Sequence, residues 1–249
     1  MNSLKQRLGK RLSRYLSEPG HTAGTAEPTR TDLLARVLQT GDVLLVEGTS
    51  RVSSAIKYLT QSTWSHAALY VGKSATGESQ FLEADMVHGV RLVAQSHFNG
   101  FHCRICRPAS LSVVEREAVC NFAIARVGLQ YDMKNIVDLA RYLLPNPPVP
   151  MRWRRKMLAL GSGDPTRAIC STLVAEAFAS VNYPILPTVE TLPAVDLLGN
   201  PHAGSSRELL HIRHHSLYVP RDFDVSPYFA IIKPTLEGGF NFHDLEWDE

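Results

Sequence analysis

Between residues 65 and 107 the chain passes through four short runs of β-branched, aromatic and small apolar residues: SHAALYVG (65–72), QFLEA (80–84), HGVRLVA (88–94) and FHCRICR (101–107). The breaks between them carry Gly, Ser and Asn, so this stretch is expected to fold as an antiparallel meander. The flanks have a different period. Apolar spacing predicts helices over 32–38 and 52–59, with a buried strand DVLLV (42–46) between them, and again over 111–126 and 133–144. Pro145, Pro147, Pro148 and Pro150 then force a break ahead of the basic run MRWRRK.

Residues 170–180 (CSTLVAEAFAS) form the best helical pattern of the C-terminal half. Leu173, Val174, Ala177 and Phe178 fall on one face, and a Gly-Ser-Gly-Asp-Pro loop lies just upstream, which puts Cys170 at a helix start. The remainder, HIRHHSLYV and PRDFDVSPYFAIIKP, is expected to form a loop and two strands. The fold class is therefore α+β: an antiparallel sheet or partial barrel packed against the helix that carries Cys170.

A chain of 249 residues with 44% apolar content builds one sizeable core. The segments divide into a leader over 1–30, a folded domain over 31–235 with a Pro- and Arg-rich insertion at 145–168, and an acidic tail over 236–249. In the leader, Leu4, Leu8, Leu12 and Leu16 recur among Lys5, Arg7, Lys10, Arg11 and Arg14, the pattern of a basic amphipathic helix, and breaker residues follow it. Such a helix suits an anionic membrane surface, and it fits a partner protein or a frayed tail equally, so a peripheral membrane contact through residues 1–16 is one of three readings. No run approaches the roughly 18–20 apolar residues of a membrane span, and no secretory signal is evident, so the expected location is cytoplasmic. The net charge of +2 gives no case for nucleic acid. Four cysteines, at 103, 106, 120 and 170, are too few for a disulfide scaffold and fit a reduced compartment.

A thiol at a helix N-terminus feels the positive end of the helix dipole and the unpaired backbone N–H groups, which favours the thiolate and offers donors to an oxyanion. Such a nucleophile needs a base, and the base needs a polar group to hold its ring. His66 opens the strand SHAALYVG and Glu83 lies on the next strand, so adjacent antiparallel strands bring carboxylate and imidazole together while Cys170 approaches from the packed helix. Asp85 is the nearest competitor for the role of Glu83.

In order along the chain, GDVLLVEG (41–48), SHAALYVG (65–72), FLEA (81–84), VGLQYD (127–132), ICSTLVAEAF (169–178) and PRDFDVSP (220–227) resemble the circularly permuted NlpC-type, papain-like cysteine hydrolases. The likeness is to the YiiX/YebB-like branch, with lecithin retinol acyltransferase-like proteins more distant. The resemblance implies a histidine strand that precedes the cysteine helix, the reverse of the papain order, and a polar residue on the next strand that completes the triad. It thereby implies Cys170, His66 and Glu83 as catalytic residues, and Tyr131, in its QYD context, as support for the oxyanion site.

The expected activity is amide or ester hydrolysis through a Cys170 thioester with His66 as base. Peptides, cell-wall-type amides and acyl lipids are the candidate substrates, and no cofactor is required. An acyltransferase using the same pair, or a silent ligand-binding module, are the alternatives. Cys103 and Cys106 have CxxC spacing but no second pair, and in a strand residues three apart face opposite sides, so a structural role is expected. His211, His214 and His215 would not share one face of an extended segment, and no metal site is expected there. The sequence has no HExxH, GxSxG or P-loop motif.

Overall fold

The computed structural model describes residues 18, 26–85, 88–129, 169–195 and 201–246. The basic segment 1–16, Tyr131, the helix expected at 133–144 and the insertion at 145–168 lie outside the described residues. A short helix α1 (Thr31–Val37) leads into β1 (Val43–Val46), followed by α2 (Arg51–Thr60), β2 (His66–Lys73), β3 (Ser79–Asp85), β4 (Gly89–Ala94), β5 (Cys103–Pro108) and α3 (Val113–Ile124). Then come α4 (Ile169–Ala179), β6 (Thr188–Val195), β7 (Pro201–His211), α5 (Pro220–Asp224), β8 (Phe229–Ile232) and α6 (Pro234–Glu237), with 3-10 turns at Gln95–Phe98, His215–Leu217 and Phe242–Asp244.

Six strands form one open sheet in the order β4-β3-β2-β1-β5-β8, every neighbouring pair antiparallel. The strand alternation divides its apolar residues between two cores. Val43, Leu45, Ala67, Leu69, Leu82 and Cys106 join one cluster with Leu173, Val174, Ala177 and Phe178 of α4 and Val119 and Ala123 of α3. Leu44, Val46, Ala68, Tyr70, Phe81 and Cys103 point the other way, into a second cluster with Leu34 of α1 and Phe98. β1 lies between the two and is buried along its whole length, which is why it reads as a continuous apolar run rather than an alternating one. The CxxC cysteines divide as strand geometry requires, one into each core, and all four cysteines are free.

Local chemistry fixes the element ends. Ser50 caps α2 by accepting from the Ser53 N–H at 3.1 Å, and Ser112 and Glu115 form a capping box at α3. Asp42, fully buried at the entry to β1, accepts from Arg107 Nε at 2.9 Å and from its terminal nitrogen at 2.8 Å, so a buried charge is paired and bidentate. Gly48 is required by close approach: a Cβ there would overlap the Ser53 hydroxyl and crowd that of Ser65, which accepts from the Gly48 N–H at 2.9 Å.

The C-terminal third differs from the sequence expectation of a loop and two strands. Residues 188–211 make a separate two-stranded ribbon, β6 with β7. PRDFD is helical: Pro220 opens the helix, and the Asp222 carboxylate accepts from the Val219 N–H at 3.0 Å. Proline is well suited to a first helical turn, whose N–H groups have no intrahelical partner, and that preference outweighed the strand-like pattern of the neighbouring residues. Only Phe229–Ile232 joins the sheet, beside β5. No described helix is long and apolar enough to cross a membrane.

Candidate active site

His66 is the first residue of β2, paired in backbone register with Val46 of β1. Leu69 faces Leu82 across the β2–β3 hairpin, and continuing that antiparallel register sets Glu83 against Ala68, two residues from His66 on the same face. The diagonal is short enough for the side chains to meet: His66 Nε2 and Glu83 Oε2 are 2.9 Å apart. Glu83 is only 3% exposed. Its other oxygen accepts from Arg91 Nε at 2.9 Å and from the Arg91 terminal nitrogen at 2.7 Å, and His97 Nε2 stands 3.5 Å from the same atom. Arg91 is the direct cross-strand partner of Glu83 on β4. Asp85, the competing carboxylate, is turned away and accepts from the His88 backbone N–H at 2.7 Å.

Cys170 is the second residue of α4 and 5% exposed. Its helix is held on the sheet by Leu173, Val174, Ala177 and Phe178, and the Phe178 ring lies against Tyr183, Phe223 and Phe229. Ser171 anchors the same turn by donating to the Tyr218 carbonyl at 2.8 Å. His66 stands at the very start of its strand, where a helix packed on one layer of the sheet can reach the ring from beyond the strand end. Burial opposes a charge on that ring. The negative charge of the Cys170 sulfur, a hydrogen bond to it, and then the Glu83 carboxylate outweigh burial and hold the His66 pKa up, at about 10. With Nε2 engaged by Glu83, Nδ1 is the nitrogen left for the thiol.

Glu83 shows the reciprocal effect. Burial alone would raise its pKa, but the hydrogen bond and charge of His66, with His97 and Arg91 behind, bring it down to about 2. The remaining thiols sit differently: burial pushes Cys103 and Cys120 up to about 12 and drives Cys106 up as well.

The structure thus brings Cys170 and Glu83 together on His66. Tyr131 lies outside the described residues, although the chain leading to it runs beside β4, with Gly128 N–H donating to the Val90 carbonyl at 2.9 Å and Val90 N–H to that of Leu129 at 3.0 Å. Sequence reasoning missed Arg91 and His97. Arg91 was accessible in principle, because the hairpin register that aligns Glu83 with His66 also faces it with an arginine in HGVRLVA; His97 sits in a 3-10 turn and left no periodic signal. The His211, His214 and His215 group disperses. His211 pairs with Glu190 at 2.8 Å, His215 with Glu176 at 3.1 Å, and the His214 ring lies tilted against that of His215 with centroids 4.0 Å apart. Among the described residues no group of three or more His, Cys, Asp or Glu is arranged to hold a metal ion.

Residues 37–142 match the family of permuted papain-like amidase enzymes, YaeF/YiiX, C92 family. Over those residues, somewhat under half of the chain, it is similar to the permuted papain-like YiiX-type amidases. The described residues form a mixed α+β fold with an antiparallel sheet, consistent with that family, and the match indicates a cysteine hydrolase. The matched residues include β2 and β3, with His66 and Glu83, whereas Cys170 lies beyond them. Among solved structures, the chain is similar to the crystal structure of metalloprotein YiiX from Escherichia coli O157:H7, at 17% identity and a TM-score of 0.45, over 78% of this chain and 96% of that one. No curated protein matches the chain.

Proposed function

We propose that the chain hydrolyses an amide or ester bond by covalent catalysis, with Cys170 as nucleophile, His66 as proton carrier and Glu83 as the group that orients and charges the imidazole. The observation that carries this reading is the buried carboxylate line: Glu83, clamped from behind by Arg91, meets His66 Nε2 at 2.9 Å and leaves the ring's other nitrogen to the Cys170 thiol. A buried carboxylate on one side of an imidazole and a thiol on the other is the arrangement that activates a nucleophilic cysteine.

The sulfur attacks the acyl carbon, and the carbonyl oxygen takes the negative charge. Backbone N–H groups in the first turn of α4, unpaired within the helix, face that oxyanion. Collapse of the tetrahedral adduct breaks the carbon–nitrogen or carbon–oxygen bond as His66 gives its proton to the leaving amine or alcohol, so a thioester forms and the ring becomes neutral. Water then attacks the thioester; His66 takes one of its protons, and the acid departs with the sulfur again paired to the imidazolium. Substrates of this chemistry are peptides, cell-wall-type amides and acyl lipids.

The test is cysteine alkylation by iodoacetamide at pH 7, followed site by site by mass spectrometry. Cys170 is expected to react at least tenfold faster than Cys103, Cys106 and Cys120, whose buried thiols are held in the protonated form, and to slow in His66→Ala. Four equally slow thiols, or a Cys170 rate indifferent to His66, would overturn the reading.

A further inference from the structure

The end of the sheet where β2 begins carries a second concentration of charge, outside the line of Cys170, His66 and Glu83. A pocket of about 670 Å³ opens there between the end of β1, the start of β5, α2 and α5. That volume is in the range of small-ligand sites. At its wall, Lys57 Nζ reaches Glu47 at 3.3 Å, with the carboxylate side chain almost fully buried. Asp224 is held by Arg104 at 2.6 Å and by the Trp64 indole N–H at 3.0 Å. The indole stacks on His102 with centroids 5.3 Å apart, and Arg104 lies over its ring at 4.9 Å. Arg221 completes the lining on the exposed side and donates to the Thr60 carbonyl at 3.3 Å.

The charges do not balance. Glu47 is matched by Lys57 and Asp224 by Arg104, so Arg221 leaves the pocket with a net positive charge. Sinking an ion pair beside an open cavity costs desolvation that an apolar pair would not, which points to use rather than to packing. The pocket is also close to the chemistry: Trp64 stands two residues before His66, and Glu47 follows Val46, the register partner of His66.

We propose that this pocket binds an anionic group, a carboxylate or a phosphate, carried by the substrate on the side away from the scissile carbonyl. Arg221 meets the anion at the rim, and Lys57 and Arg104 add their field, with buried Trp64 behind them fixing Asp224 and Arg104 in place. The assignment to substrate rests on the hydrolase reading above, but the binding itself does not need the thiol, and the two can be tested separately.

Trp64 reports on the pocket in a full-length Trp153→Phe/Trp247→Phe variant. Its fluorescence is titrated with inorganic phosphate, acetate and neutral acetamide, in the Cys170→Ser background as well. Saturable changes are expected with phosphate or acetate and not with acetamide, unaltered by Cys170→Ser and weakened about tenfold or more by Arg221→Ala, an exposed position whose loss leaves the fold intact. Stronger binding of phosphate assigns a phosphoryl-bearing substrate, and stronger binding of acetate a carboxylate-bearing one. No anion binding, or binding indifferent to Arg221, overturns the proposal. Failure of Cys170 alkylation with anion binding intact would remove the hydrolase reading and, with it, the assignment to substrate, while the anion site stands.

Discussion

Glu83→Gln isolates what the buried carboxylate does for His66. The amide keeps the shape and an acceptor but removes the charge, and Arg91, about a third exposed, can turn its freed guanidinium to solvent. A net contribution of about 1.5–3 kcal/mol is typical for a hydrogen bond to a charged group. At about 1.36 kcal/mol per pH unit, losing it lowers the His66 titration midpoint from about 10 to between roughly 8 and 9. The sign is fixed: an anion beside the ring favours the imidazolium, so removing it must favour the neutral form. The assay is the pH titration of the His66 ring by NMR, with its signal picked out of the ten histidines by difference against His66→Gln. Arg91→Ala is the control, because it removes a cation from Glu83 rather than the anion from His66 and should not lower the midpoint. A wild-type His66 already neutral at pH 7, or a midpoint unmoved in Glu83→Gln, would refute the reasoning.

The same pair shapes stability against pH. Glu83 is depressed to about 2, so the stability it contributes is complete above its ordinary value of 4.5 and is lost as the pH falls toward 2; His66 is raised to about 10, so its contribution is complete below 6.5 and is lost as the pH rises through 10. Urea unfolding across pH should show both limbs, and Glu83→Gln should flatten the acid one; an unchanged acid limb would count against the pairing. Phe178→Ala empties a fully buried site between Tyr183, Phe223 and Phe229 and should cost about 3–5 kcal/mol in urea unfolding, with a loss under 1 kcal/mol contradicting its place as the anchor of α4.

Legibility followed the range of the interaction. The meander 66–108 was readable because period-two alternation and glycine-bearing turns are local properties, and its register is what sets Glu83 beside His66. The opposite facing of Cys103 and Cys106 followed from the same periodicity. β6 and β7 were not readable: where the ribbon's side chains are described, at 188–192 and 206–211, they lie largely exposed, so no buried face imposed a pattern on them. PRDFD reads as strand-like or helical according to whether Pro220 is taken as a breaker or as a first-turn residue, and only its neighbours decide. Arg91 escaped because an arginine on an edge strand is normally a solvent-facing charge; its role exists only through a buried carboxylate on the adjacent strand.

Chain order is immaterial to this geometry, which explains how the site proposed above can be assembled with the histidine strand ahead of the cysteine helix. His66 and Glu83 are fixed by the register of one hairpin, a local relation that needs nothing from the cysteine segment. Cys170 is fixed by a different cause, the burial of Leu173, Val174, Ala177 and Phe178 against the sheet. The two meet because His66 is the first residue of its strand: one place further along, period two would turn its side chain to the other face, and the contact with Glu83 would be lost. What the site constrains is therefore the strand register on one side and the apolar face of α4 on the other.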